Sequence, residues 1–140
     1  MRAIITKKGL ITVMVFALLL VLAAGCGEKT VGGPTEVNFQ RVQEDQLPGE
    51  VQNWLNENII EYGKDTYAHE DKLYILVAYG EKPTAGYIVE INKVEKLDGN
   101  INVYASFQDP KPGDMVATVI TYPYELVVIE DQGLTVIFKD

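Results

Sequence analysis

The sequence is poor in the side chains that most enzymes use for chemistry. It has one cysteine, Cys26, one histidine, His69, and one serine, Ser106. A serine or cysteine hydrolase needs a nucleophile beside a base, with a third group orienting the base. Ser106 sits within an alternating strand pattern with no strained elbow, and His69 lies in the polar run Tyr67-Ala68-His69-Glu70-Asp71, so both read as surface residues. One histidine and one cysteine cannot assemble the usual zinc ligand sets. No EF-hand loop occurs, and no glycine-rich phosphate loop follows a strand. The oxygens of Asp98-Gly99-Asn100 are explained by a hairpin turn. The pairs Glu70-Asp71 and Glu130-Asp131 flank turns or strand ends and read as a solvated acidic surface. The expectation is a chain without catalytic centre, metal or cofactor.

Clustered positive charge is also missing. The 140 residues carry 12 basic and 20 acidic side chains, a net charge of −8. Three of the basic residues, Arg2, Lys7 and Lys8, precede the first acid, Glu28, so the remainder is more acidic still. Such a balance repels nucleic acid and anionic lipid surfaces. With 47% hydrophobic and 23% charged residues, the chain has the composition of one globular domain.

The N-terminus reads as an address. Three cations in Met1 to Lys8 precede the apolar run LITVMVFALLLVLAA, Leu10 to Ala24, and small residues follow. This is the order of a secretory signal, and the run is short of the roughly 20 residues that span a bilayer. The sequence Leu22-Ala23-Ala24-Gly25-Cys26 resembles the lipobox of bacterial lipoproteins. The resemblance implies cleavage between Gly25 and Cys26 and a diacylglyceryl group on the Cys26 thiol, with no other cysteine competing. At about 0.8 kcal/mol per buried CH₂, two or three acyl chains hold a protein at a membrane without a spanning helix. The expected organisation is a signal peptide at 1–25, a lipidated flexible tether at 26–35 and a folded domain at 36–140. The domain would be extracytoplasmic and anchored to a bacterial cell membrane through Cys26.

Within the domain, Glu36 to Val42 alternates imperfectly and predicts a first strand. Asp45-Gln46-Leu47-Pro48 opens a helix whose apolar face is Val51, Trp54, Leu55 and Ile59, with Gly63 as its stop. Trp54 on such a stripe reads as core. KLYILVAY, Lys72 to Tyr79, is apolar on both faces and predicts a strand covered on each side. Further strands are expected at Tyr87 to Glu95, Ile101 to Phe107, Val116 to Thr121, Tyr124 to Ile129 and Leu134 to Phe138. Asp98-Gly99 signals a type I′ hairpin, and Pro112-Gly113 suits a type II turn. Pro123 interrupts pairing because proline cannot donate to a ladder, so Val116 to Ile129 reads as one interrupted strand or two. The fold class is α+β and β-rich: one N-terminal helix packed on about six or seven mostly antiparallel strands, as a compact sandwich or a half-barrel sheet.

One connection is longer and stiffer than a reverse turn requires. GEKPTAGYIVEI, Gly80 to Ile91, joins Pro83, which fixes φ, to Gly86, which can take positive φ, and to the large ring of Tyr87. Together with Asp109-Pro110-Lys111-Pro112-Gly113 and Tyr122-Pro123-Tyr124-Glu125-Leu126-Val127-Val128-Ile129, it resembles the PrcB C-terminal family over roughly residues 70 to 130. Ala85-Gly86-Tyr87 stands where the family often has Gly-Gly-Tyr. That family is named for a non-catalytic lipoprotein subunit of a bacterial surface protease complex. The resemblance implies a binding module, with a protein partner and no catalytic residues to carry over. Pro83-Thr84-Ala85-Gly86-Tyr87 is also similar to the Asn-Pro-Thr-Thr-Gly-Tyr loop of chagasin-type peptidase inhibitors. Lys82 and Ala85 depart from that loop, no Gly-Gly-containing second loop is evident, and Tyr122-Pro123-Tyr124 only loosely matches the third. An inhibitor, or a purely structural envelope lipoprotein, is therefore the alternative. The candidate partner-binding residues are Lys82, Pro83, Thr84, Ala85, Gly86, Tyr87, Pro112, Gly113, Tyr122 and Pro123. Nucleic acid is not an expected partner, and the sequence leaves the oligomeric state open.

Changing Cys26 to Ser should abolish metabolic lipid labelling and move the protein out of the membrane fraction. Persistent labelling of the Cys26→Ser chain would show that the anchor lies elsewhere.

Overall fold

A computed structural model describes residues 32–139. The expectations for the signal segment, for Cys26 and for most of the tether fall outside these residues. Two four-stranded sheets pack face to face, in the orders β1-β5-β6-β8 and β2-β7-β4-β3. The strands are β1 (Thr35–Glu36), β2 (Gln40–Arg41), β3 (Tyr62–His69), β4 (Lys72–Tyr79), β5 (Ile88–Leu97), β6 (Asn100–Gln108), β7 (Tyr124–Glu130) and β8 (Thr135–Lys139). A helix, α1 (Gly49–Asn58), lies between β2 and β3 in sequence. The expected β-rich α+β sandwich is what forms, and the sheets do not close into a barrel.

β4 decides the layering. Leu73, Ile75 and Val77 enter a core with Val89, Ile91, Val94, Ile101, Val103, Val127 and Ile129 between the two sheets. The alternate residues Tyr74, Leu76 and Ala78 join Val51, Leu55 and Leu126 in a second core beneath α1. Strand residues alternate faces, so a strand apolar at every position must be covered twice, and here one cover is the helix and the other the opposite sheet. Trp54 is half-buried at the rim of the second core. Its ring lies 5.4 Å from that of Tyr67, and its Nε1 donates to Asp65 Oδ2 at 3.2 Å.

The turns follow their chemistry. Asp98 and Gly99 both have positive φ, 52° and 76°, as a type I′ turn requires. Lys111 to Asp114 closes through Asp114 N–H to Lys111 O at 3.0 Å, with Gly113 at φ 95°. Other expectations are corrected. The segment 36–42 is not one strand: Thr35–Glu36 pairs with β5, Gln40–Arg41 pairs with β7, and the chain switches sheets between them. Gly63 does not stop the helix, which ends at Asn58 with Ile59 as its cap; Gly63 instead lies inside β3. β3 itself escapes the apolar pattern, because its residues are exposed or only half-buried along an edge. Val116 to Thr121 is not a strand and forms a single bridge, Lys82 to Thr121. The pairings are mostly antiparallel, as expected, with β8 alone running parallel to its neighbour β6 among the described strands.

A β-bulge between Ile91 and Lys93 shifts which residues of β5 face inward, from Val89 and Ile91 to Val94. Beside it the edge of β5 is left open once the chain departs for β2, since the β1 pairing ends with Val37 N–H to Val94 O at 2.9 Å. Glu125 of the opposite sheet reaches across, accepting from Ile91 N–H through one oxygen and from Arg41 Nε through the other. Its side chain is 11% exposed against 58% for Glu90, the other carboxylate near Arg41. Removing Glu125 therefore leaves a part-buried backbone donor without its partner. Glu125→Ala should cost about 1–3 kcal/mol in denaturant unfolding, whereas Glu90→Ala should fall within about 0.5 kcal/mol of wild type. Equal effects would show that Glu125 is not the inter-sheet bridge.

Candidate functional site

The sandwich has two unlike ends. At one, tight turns Glu70-Asp71, Asp98-Gly99 and Asp131 to Gly133 close the hairpins and the β7–β8 connection, all rich in carboxylates. Asp131 N–H donates to Asp71 O at 2.8 Å, tying two of these turns together. The chain also enters at this end, where Thr35 pairs with Lys96. At the other end lie the long connections: Ile59 to Glu61 from α1 to β3, Gly80 to Tyr87 from β4 to β5, and Asp109 to Pro123 from β6 to β7.

The large exposed hydrophobic side chains among the described residues are Ile60, Tyr62, Ile88, Met115, Val119, Ile120 and Tyr122. All belong to the long-loop end. Ile60 accepts from Glu81 N–H, Tyr62 pairs with Tyr79, and Ile88 pairs with Gln108. The rest lie in the 109–123 connection. A monomeric surface rarely gathers apolar side chains in one place without an interaction to serve.

The loop singled out from sequence is stitched to that connection. Lys82 and Thr121 exchange two backbone hydrogen bonds, at 2.9 and 3.0 Å, and Ala85 N–H donates to Ala117 O at 3.0 Å. Thr121 Oγ1 donates to Thr84 O at 2.8 Å, and Tyr122 OH donates to Glu81 Oε2 at 3.0 Å. Gly86 has φ +93°, and a Cβ there would meet Val116 Cγ1 at 2.8 Å and Pro110 Cβ at 3.2 Å. Gly80, at φ +72°, would set a Cβ 2.6 Å from Tyr62 N. Of the candidate residues, Pro83, Gly86, Pro112, Gly113 and Tyr122 are exposed, and Lys82, Thr84, Ala85, Tyr87 and Pro123 are half-buried. Pro123 contributes its carbonyl to Tyr79 N–H at 2.8 Å. Residues far apart in sequence thus meet at one end of the fold.

Beneath the loops lies an aromatic cluster that sequence reading did not assemble. Tyr79 stands 4.7 Å from Phe107 and 5.9 Å from Tyr87 between ring centroids, and Tyr62 stands 5.5 Å from Phe107. Lys82 Nζ lies over the Tyr79 ring at 3.6 Å, a cation–π contact. Tyr79 OH donates to Asp109 Oδ1 at 2.6 Å, which raises the Tyr79 pKa because ionisation would break that bond beside a carboxylate. Glu81 raises Tyr122 in the same way. The only signal in the sequence was the run of aromatics at strand ends, which becomes a cluster once the β3–β4 pair of one sheet faces the β5–β6 pair of the other.

His69 and Ser106 are not brought together. His69 Nδ1 lies 3.5 Å from Glu50 Oε2 at the hairpin end, and Ser106 Oγ donates to Asn92 Oδ1 at 3.0 Å on the outer face of the other sheet. Among the described residues no group of three or more His, Cys, Asp or Glu side chains could hold a metal, and no helix is long and apolar enough to cross a membrane.

The fold and its loop end define a small β-sandwich domain with one covering helix. Residues 73–130, from β4 to the end of β7, match the family model described as PrcB C-terminal. The match bears out the resemblance read from Gly80 to Ile91 and covers both loops of the site. An uncharacterized protein of Methanocaldococcus jannaschii is 35% identical over 82 residues, covering 53% of this chain and 49% of the relative. The chain thus spans about half the length of that curated relative. No solved structure matches the chain.

Gly86→Ala and Gly113→Ala separate conformation from contact. Both glycines have positive φ, but a Cβ at Gly113 meets nothing within 4 Å. Gly113→Ala should cost about 1–2 kcal/mol, and Gly86→Ala should cost more and loosen the 109–123 connection, seen as faster amide exchange at Ala85. Equal costs and unchanged exchange would refute the stitching.

Proposed function

We propose that this chain is a lipid-anchored, extracytoplasmic, non-catalytic module that binds a protein partner, as an accessory or stabilising subunit of an envelope protease complex. The observation that carries the reading is the gathering of the exposed apolar side chains at one end of the sandwich, opposite the end where the chain enters. Lys96 and Ile88 are eight residues apart on β5, roughly 26 Å at the rise of a strand. The loop end therefore lies at the opposite end of β5 from Thr35, where a tether at 26–35 would join the domain. The match to the PrcB C-terminal family supports a protease-associated role. The acidic hairpin end supports a tethered domain held off an anionic lipid surface rather than lying on it.

The test is capture of the full-length lipidated chain, tagged at its C-terminus, from detergent-solubilised envelope, combined with deletion of its gene. One partner should co-purify in stoichiometric amount, and its level should fall when this chain is absent. If nothing co-purifies in stoichiometric amount, the binding-module reading fails. If the partner's level is unchanged by the deletion, the stabilising role fails.

A further inference from the structure

Resting on the binding-module reading, we infer that the contact element is the segment Met115 to Tyr122, acting as a wedge for an apolar pocket with a basic rim on a partner protein. The Pro83 to Tyr87 loop is its scaffold. Shape is the first argument. Met115 is 102% exposed, Val119 52% and Ile120 58%, so these side chains stand out from the surface. A projecting apolar loop fits a concave partner, and buried anchors of this kind carry most of the energy of an interface.

Pre-organisation is the second argument. The connection from Asp109 to Pro123 has no regular structure, yet it is held along its length. Lys111 N–H donates to Asp114 Oδ2 at 2.8 Å, Ala117 O accepts from both Ala85 N–H and Val119 N–H, and Thr121 is laddered to Lys82. Gly86 lets the Val116 side chain approach its backbone. A loop ordered before docking loses little conformational entropy on docking. Pro83 to Tyr87 is thereby a positioning element: Thr84 and Ala85 spend their backbone groups on the 109–123 connection.

Charge selects the occupant. Carboxylates flank the segment at both ends, since Asp114 precedes Met115 and Glu81 accepts from Tyr122 OH, and of the neighbouring cations Lys82 is held over the Tyr79 ring. This acidic rim disfavours insertion into an anionic bilayer. It also disfavours a second copy of the chain, which would set the same carboxylates against each other. A separate protein with a basic rim satisfies both the apolar tips and the rim.

The experiment places the photoreactive residue p-benzoylphenylalanine at one position of the full-length chain, irradiates the native envelope, and identifies adducts by mass spectrometry. Met115 and Val119 are the test positions. Asn53 on the exposed face of α1 and Thr135 at the hairpin end are the controls. The expected result is an adduct from Met115 and Val119 to one protein, at an apolar peptide, with no adduct from the controls. Adding Ile120→Asp should lower its yield at least about tenfold while leaving the thermal melt unchanged, as expected for an exposed side chain. Protein adducts from the controls alone would overturn this inference and leave the binding-module reading standing. Lipid adducts from Met115 would show bilayer insertion, and adducts to the same chain would show self-association; either overturns the inference. No adduct from Met115 or Val119 would overturn this inference, while the binding-module reading stands or falls on co-purification.

Discussion

The structure depends on the double burial of β4. A strand with Leu73, Ile75 and Val77 on one face and Tyr74, Leu76 and Ala78 on the other cannot rest at the surface of a single sheet. Fully burying each aliphatic side chain contributes about 1.5–3 kcal/mol, so exposing either face would forfeit several such contributions in a domain whose net stability is only about 5–15 kcal/mol. The helix and the second sheet are the two covers that the chain can supply. β7 and β3 then take the flanks of β4, and the remaining apolar faces of β5, β6 and β8 close the inner core.

What was legible in the sequence follows from that constraint. KLYILVAY announced a strand covered twice, the stripe of Val51, Trp54, Leu55 and Ile59 announced the helix that supplies one cover, and Asp98-Gly99 announced its hairpin, because each signal is local and set by burial or by φ. β3 was not legible. Its residues YGKDTYAH carry neither alternation nor a closed apolar face, since an edge strand half-covered by a helix rim needs neither; it forms because β4 offers a free row of backbone donors and acceptors. Val116 to Thr121 shows the opposite failure. Its apolar, β-branched residues match a strand pattern, yet Ala117 to Ile120 stay exposed, and only its ends are half-buried, Val116 against Gly86 and Thr121 on Thr84 O. Composition reports that a segment is apolar without reporting whether the fold hides it.

The same limit separates the loop that was recognised from the surface it helps to build. Pro83-Thr84-Ala85-Gly86-Tyr87 stands out in sequence because its residues restrict backbone angles and because it resembles known motifs. In the fold those restrictions serve a neighbour. Gly80 lets the chain pass within 2.6 Å, measured from where a Cβ would stand, of the Tyr62 backbone, and Gly86 accommodates Val116 and Pro110. Tyr87 packs against Tyr79 instead of projecting outward. Motifs in sequence mark where geometry is demanding, and demanding geometry here belongs to the support.

The division between the two ends of the sandwich has a physical cause in the connections. Hairpins closed by two residues must spend those residues on turn geometry, so Glu70-Asp71 and Asp98-Gly99 hold polar side chains and glycine and leave no room for an apolar display. Of the crossings from one sheet to the other, β1 to β2 and β7 to β8 are short, whereas β4 to β5 and β6 to β7 carry the long connections, and both of these fall at the same end. Their surplus residues are free of the turn's demands and of the core's. An apolar side chain placed there is neither buried by the fold nor required by the turn, which is why the proposed contact rests on Met115, Val119 and Ile120 and not on Ile75 or Val127, which are equally apolar but buried.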